Sequence, residues 1–213
     1  MPREGKTAVS FALFFHPLTT FIAGILLAVA AIACLVLVSA RPNSSGALVG
    51  NYHRKLEIAG KEMPAGSSEE KAAVERFTGF LQRIGDPKSI RENTRKVYAE
   101  AAFLDDTLVV HEGAGEIQSY FLETAANMTR CEVTIDDVAR SGPDYYVRWT
   151  MAFEVPALAG GEPVHSIGIS QVRFDESGKV CMHQDFWDSG KNLYAHLPVA
   201  GGVIGFIRKR LER

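Results

Sequence analysis

Hydrophobic and polar positions divide the chain into an apolar N-terminal segment and a mixed, periodic remainder. No Asp, Glu, Lys or Arg stands between Lys6 and Arg41, and residues 18–38 are apolar except for two threonines. At about 1.5 Å per residue, a helix of that length crosses the roughly 30 Å hydrocarbon core of a bilayer. The pattern predicts a membrane anchor in residues 1–40, with a transmembrane helix at about 18–38.

A cleaved signal peptide is the alternative to this anchor, because Val38-Ser39-Ala40 places small residues where a signal peptidase cuts. The apolar run is longer than the usual signal-peptide core of about 7–15 residues, which favours an uncleaved, single-pass anchor. Basic residues flank both ends of the run, so the positive-inside rule gives almost no preference for either orientation in the membrane. We expect the C-terminal domain on the exported side of the membrane.

The periodic remainder begins after residues 41–67, which are rich in Gly, Ser and Pro and predict a linker. Apolar residues at three- and four-residue spacing predict a helix from Ser67 or Ser68 to about Ile84. Two further helices are predicted at Ser89 to about Ala102 and at about Gly115 to Met128. Short strands fit residues 103–104 and 107–110. From Cys131 the period is two, which predicts strands at 131–135, 145–155, 165–174 and 179–187.

Helices that precede a run of antiparallel strands are typical of an α+β domain, which we place at residues 68–190.

The net charge of −2 hides an acidic body, since residues 41–190 carry 16 basic and 23 acidic side chains. An acidic body argues against nucleic acid as a partner. Three cysteines are too few for a disulfide scaffold.

Four short segments in this order resemble the SnoaL-like branch of the nuclear transport factor 2-like superfamily over about residues 68–190. They are Val97 to Asp106, Gly115-Glu116-Ile117, Val172-Arg173-Phe174-Asp175 and His183 to Asp188. The resemblance implies a cone-shaped, curved antiparallel sheet packed on about three helices, with a mostly apolar pocket for a small hydrophobic molecule. It also implies homodimerisation through the outer face of the sheet. The family includes ketosteroid isomerase, polyketide cyclases, limonene epoxide hydrolase and non-catalytic binding proteins.

Asp105 is the first candidate catalytic residue, because it resembles in position the proton-shuttling carboxylate of the ketosteroid isomerases. A carboxylate beside an apolar cavity is suited to acid–base work. The alternative is that Asp105 and Asp106 form a polar turn. Phe77 and Ser170 stand where the isomerases have their oxyanion-stabilising donors, which argues against steroid-type isomerisation. By the same resemblance, we expect Phe77 and Ser170 to line the pocket.

His183, Asp185 and Trp187 alternate along the last predicted strand and therefore project from one face. The resemblance implies that this face lines the pocket, with Trp187 as part of its wall. We expect His183 and Asp185 to be an acid–base pair or, alternatively, a structural polar network. Trp149, Met151 and Phe153 share another strand face and predict pocket wall or core. No third ligand stands at a fixed spacing from His183 and Asp185, so we expect no metal, and no cofactor motif is present.

Residues 191–213 combine apolar positions with a basic cluster and predict an amphipathic C-terminal helix from about Gly202. Such a helix lies on an anionic membrane surface or, alternatively, docks across the domain or the mouth of its pocket. Two functions remain open at this point. One is a membrane-tethered domain with a binding or accessory role, and the other is a cofactor-free acid–base enzyme (isomerase, cyclase or hydrolase type) that uses Asp105 with His183 and Asp185.

Overall fold

A computed structural model describes residues 24–32, 34, 45–156, 158–197 and 199–212. The chain divides into two units, Met1–Tyr52 and His53–Arg213. In the first unit, residues 24–32 and Cys34 are helical. Within the described residues no helix is both long and apolar enough to cross a bilayer. The predicted transmembrane helix at 18–38 lies in large part outside the described residues, and it stays a prediction.

The remaining helices and strands are α1 (Ser45–Lys55), α2 (Ser68–Leu81), α3 (Pro87–Val97), β1 (Tyr98–Asp105), β2 (Val110–Glu112), α4 (Ala114–Ala126), β3 (Arg130–Ser141), β4 (Asp144–Glu154), β5 (Val164–Phe174), β6 (Val180–Trp187), α5 (Ser189–Asn192) and α6 (Ala200–Leu211). From α2 to β6 the helices and strands follow the order that the hydrophobic pattern predicts, whereas α1 is a helix inside the segment predicted as a linker. Two short 3₁₀ turns, Ala159–Gly161 and Tyr194–His196, join the later elements.

Capping side chains set the starts of the two helices that lead into the sheet. The Ser67 side chain accepts a hydrogen bond from the Glu70 backbone at the start of α2. Asp86 accepts one from the Lys88 backbone, and Pro87 occupies the first turn of α3.

The predicted extension of the second helix to Ala102 is wrong. The chain turns extended at Tyr98, because Tyr98 pairs with Val180 in the sheet. This long-range pairing outweighs the helix propensity of the alanines that follow.

The six strands form one curved sheet in the order β2-β1-β6-β5-β4-β3. The predicted antiparallel run from β3 to β6 is confirmed. The sheet as a whole is mixed, however, because β1 and β6 run parallel. A parallel pair requires a crossover, and here the crossover contains β2, α4 and the three strands β3–β5.

The helices α2, α3 and α4 contribute to a core that is shared with one face of the sheet, which we call the inner face. Its largest buried side chains include Phe77, Phe80, Tyr98, Ile117, Tyr145 and Phe174. The opposite, outer face is partly covered by the chain from Lys55 to Met63. Arg173 there donates to the carbonyls of Leu56 (2.6 Å) and Ile58 (2.8 Å).

Candidate functional site

A cavity of about 340 Å³ opens on the inner face of the sheet. Its walls are largely apolar and aromatic, and they come from α4, from the strands β3–β6 and from the turns that follow β1 and β6. This volume lies within the range of small-molecule sites, about 300–1,000 Å³.

Five of the predicted site residues line this cavity. They are Trp149, Met151, Phe153, Asp185 and Trp187. Period-two alternation puts the three β4 residues on one side of their strand, and Asp185 and Trp187 on one side of β6, as the sequence predicts. The pairing of both strands with β5 brings the two sets to the same face of the sheet. The Trp187 indole N–H donates to the Asp106 carbonyl (2.7 Å), and the Trp149 indole N–H donates to Ser170 Oγ (3.0 Å). Both tryptophans of the chain are therefore in the cavity wall with their polar edges engaged.

Gly168 allows the Trp149 ring to take this position. The two residues are directly paired across β5 and β4, and a Cβ atom on Gly168 would lie 2.3 Å from Cζ2 of Trp149. No side chain can occupy that space while the indole is there. Sequence reasoning missed Gly168, although a glycine between two isoleucines inside a strand is a signal for a close approach.

A chain of buried polar side chains runs behind the cavity wall. The Tyr98 hydroxyl lies 2.9 Å from His183 Nδ1, and His183 Nε2 lies 2.9 Å from Asp185 Oδ1. Ser170 Oγ donates to the same Asp185 oxygen at 2.5 Å. Ser170 and Asp185 are directly opposite in the β5–β6 pair, so the strand register sets this contact.

The hydrogen-bond partners indicate where protons lie along the series Tyr98, His183 and Asp185. Burial, and secondly the charge of Asp185, raises the pKa of Tyr98 well above its ordinary value, so Tyr98 keeps its proton. An ionised Asp185 only accepts hydrogen bonds, which requires a proton on His183 Nε2. The other ring nitrogen, His183 Nδ1, is engaged by the Tyr98 hydroxyl.

Asp185 is the member of this hydrogen-bonded series that faces the cavity. Its side chain is 18% exposed, whereas that of His183 is 2% exposed and lies behind it. Both hydrogen bonds to Asp185 reach Oδ1. Within the described part of the chain, no donor reaches Oδ2. The arrangement therefore presents one carboxylate oxygen to whatever occupies the cavity, while His183 orients the carboxylate from behind.

Asp105 does not line the cavity, contrary to the expectation from the resemblance. It is buried on the outer face, where the Lys55 ammonium forms an ion pair with its Oδ2. Lys55 Nζ also donates to Gln184 Oε1 (3.3 Å), and it lies 4.2 Å from the centre of the Phe103 ring. Lys55 is a residue that sequence reasoning missed, because it stands inside the predicted linker and nothing local marks it.

Asp106 takes the cavity-facing position next to Asp105 and is fully hydrogen-bonded. Its Oδ1 accepts from the backbone of Leu108 (2.9 Å) and Val109 (2.8 Å), and the Tyr120 hydroxyl donates to Oδ2. Burial, and then the charge of Asp106, raises the pKa of Tyr120. This geometry fits the alternative of a polar turn.

Phe77 and Ser170 are buried next to the cavity without lining it. The Phe77 ring packs edge-on against the His183 ring, with 5.1 Å between the ring centres. Ser170 connects Trp149 to Asp185. Both residues therefore position the polar chain and do not contact the cavity contents.

Cys131 and the titratable groups offer neither a nucleophile nor a metal site. Cys131 lines the cavity, but burial raises the pKa of its thiol to about 11. The thiolate is the reactive form, so this thiol is unreactive at neutral pH. Among the described residues, no three His, Cys, Asp or Glu side chains are grouped so that they could hold a metal ion.

Comparison with known proteins identifies the domain. The family model for the SnoaL-like domain matches residues 85–183. A proposed SnoaL-like polyketide cyclase from Jannaschia sp. CCS1 is 16% identical with a TM-score of 0.50, and the match covers 59% of this chain and 92% of that one. A hypothetical protein with a ketosteroid isomerase-like fold from Catenulispora acidiphila, solved with trimethylamine, is 16% identical with a TM-score of 0.50. That match covers 60% of this chain and 95% of that one.

At this identity, the solved structures show the fold alone. No curated protein matches the chain. Residues 85–183 are similar to the SnoaL-like domain, and the solved structures show that the fold is nuclear transport factor 2-like. The family includes polyketide cyclases, isomerases and epoxide hydrolases, so the function has to be argued from the site.

Proposed function

We propose that this protein binds a small hydrophobic molecule in the cavity, in a binding or accessory role. The observation that carries the proposal is the cavity of about 340 Å³ with its aromatic wall. Its strongest donors are already used inside the protein, since Trp149, Trp187 and Tyr120 donate to Ser170 and Asp106. A reaction through an enolate needs donors aimed at the developing oxyanion. The wall therefore supports binding better than isomerisation.

Native mass spectrometry of the detergent-purified full-length protein tests this function, because it detects a retained ligand. The variant Cys131→Phe adds a ring to the cavity wall, and we expect it to abolish the retained mass. Ile167→Phe is the matched control, because Ile167 is 73% exposed. Equal retention by both variants would contradict the proposal.

A cofactor-free acid–base enzyme is the second candidate, and the free Oδ2 of Asp185 favours it. In this version the Asp185 carboxylate accepts a proton from the substrate, and His183 orients that carboxylate. Asp105 has no part, because it lies on the outer face. We expect Asp185→Asn to abolish any turnover of an aryl epoxide or a β,γ-unsaturated ketone without loss of thermal stability. Full activity in Asp185→Asn, with loss in Asp105→Asn, would reverse these assignments.

We also propose that residues 18–38 and the C-terminal segment hold the domain at a membrane. The apolar run supports the anchor, and α6 supports a second contact because none of its residues is buried. Its apolar Val203, Phe206 and Ile207 are exposed, and Arg208, Lys209 and Arg210 follow in the last turn. We expect full-length protein to resist alkaline extraction from membranes, and release by alkali would contradict the anchor.

Homodimerisation through the outer face is the remaining proposal on partners. Ile167, Ile169 and Phe186 are exposed on this face, where Ile169 and Phe186 are paired in register. Light scattering of the purified protein tests this, with Ile167→Asp expected to give a monomer. A wild-type monomer would contradict the proposal.

A further inference from the structure

The charges of the cavity point to a class of ligand. We propose that the ligand is a small hydrophobic cation, an amine or a quaternary ammonium compound, whose positive charge pairs with Asp185. This inference rests on the proposed binding function and deepens it.

The first step is the inventory of charge at the cavity wall. Asp106 and Asp185 line it, and among the described residues no Lys, Arg or His does. The nearby buried cation, Lys55, is paired with Asp105 on the outer face. His183 lies behind the wall, where its two ring nitrogens are engaged by Tyr98 and Asp185. The wall is therefore negative, and no protein cation lines it to offset that charge.

The second step concerns the two carboxylates separately. Asp106 receives two backbone N–H groups and the Tyr120 hydroxyl, so both of its oxygens are engaged. Asp185 receives both of its hydrogen bonds on Oδ1, and Oδ2 is left at the cavity. A charged oxygen at an apolar surface is costly unless it is paired. A ligand cation would supply that pairing.

The third step is the aromatic wall around Asp185. Trp149, Tyr120 and Trp187 line the same cavity, and ring faces attract organic cations. The two indole N–H groups and the Tyr120 hydroxyl are already donated within the protein. These three groups are therefore not offered to a ligand carbonyl or carboxylate, and a carboxylate would also be repelled. The wall favours a cation over an anion or a neutral acceptor.

Binding of three matched probes tests the inference. Benzylamine, benzyl alcohol and benzoate share a ring and differ in charge, and the full-length protein in detergent is titrated with each. Tryptophan emission is a direct readout, because both tryptophans of the chain line the cavity. We expect benzylamine to bind about tenfold or more tightly than benzyl alcohol, with benzoate the weakest.

Two variants test whether the preference for benzylamine over benzyl alcohol depends on Asp185. We expect Asp185→Asn to bind benzylamine no more tightly than benzyl alcohol, because the charge that separates the two probes is removed. Glu176→Gln is the control, because Glu176 is an exposed carboxylate outside the cavity wall, and it should keep the preference. The wild-type probe series does not depend on whether Asp185→Asn folds, so it decides the question alone if that variant fails.

The outcomes separate this inference from the function on which it rests. Equal affinity for benzylamine and benzyl alcohol would overturn the cation while the apolar binding function stands. A preference that survives in a folded Asp185→Asn protein would overturn the assignment to Asp185. If none of the three probes binds and native mass spectrometry finds no retained ligand, both the inference and the proposed function are overturned.

Discussion

Asp105 and Asp106 are neighbours in the chain and lie on opposite faces of the sheet. On the outer face, Asp105 is neutralised by the Lys55 ammonium. On the inner face, Asp106 and Asp185 accept hydrogen bonds, no Lys or Arg among the described residues pairs with them, and Asp185 retains one oxygen for the cavity. The difference separates two uses of a buried carboxylate. A paired one secures the fold, whereas one with an unpaired oxygen is available to a ligand.

The largest effect should come from breaking the outer-face pair. Lys55→Met leaves the buried Asp105 without its counter-ion, and we expect the free energy of unfolding to fall by about 3–5 kcal/mol. Urea denaturation measures this loss. The double variant Lys55→Met/Asp105→Leu removes both charges and should recover most of the stability. A loss below about 1 kcal/mol in the single variant would contradict a buried, charged pair.

A smaller effect is expected from the inner face, at Gly168. Gly168→Ala brings a methyl group against the Trp149 indole, and overpacking of this kind costs about 1–3 kcal/mol. The displaced ring should also change the tryptophan emission and weaken probe binding. Gly205→Ala in α6 is the control, because a Cβ there meets nothing within 4 Å. Unchanged emission in Gly168→Ala would show that the cavity wall adapts.

The pH dependence of stability tests a second outer-face pair, Arg173 with Asp144. Burial alone would raise the pKa of Asp144, but hydrogen bonds from Arg173 and Gln171 outweigh it and hold the pKa below 3.8. A lowered folded-state pKa gives stability that is present above the unfolded value and is lost as the pH falls through the folded one.

We therefore expect the free energy of unfolding to fall as the pH drops below about 4 and this carboxylate takes up a proton. Denaturation at a series of pH values measures it, with Asp144→Asn as the comparison. If both proteins lose stability equally over this range, Asp144 is not responsible.

The smallest effect on stability should come from Asp185→Asn. The amide oxygen that this substitution introduces can still accept from His183 and Ser170, so we expect a change within about 1 kcal/mol, together with the loss of cation preference. Urea denaturation measures it in parallel with Lys55→Met. A loss as large as that of Lys55→Met would remove the contrast between the two faces and indicate a purely structural Asp185.

Much of the fold follows from local patterns. The period-two alternation of β4 and β6 places Trp149, Met151, Phe153, Asp185 and Trp187 at one surface, because successive side chains point to opposite sides of a strand. The start of α2 at Ser68 and the break before Pro87 follow from capping. The end of α3 does not, because the pairing of Tyr98 with Val180 is a contact between distant parts of the chain.

The sequence alone determined the strand faces, since these depend on spacing along one element, and the order of the elements together with the resemblance indicated the kind of domain and its pocket. Only the tertiary structure decided which carboxylate faces the cavity. Asp105 and Asp106 differ by one position at the end of a strand, and a shift of one position exchanges the two faces. Lys55 and Gly168 show the same limit. Their roles depend on partners 50 and 19 positions away, Asp105 and Trp149, which folding alone brings into contact.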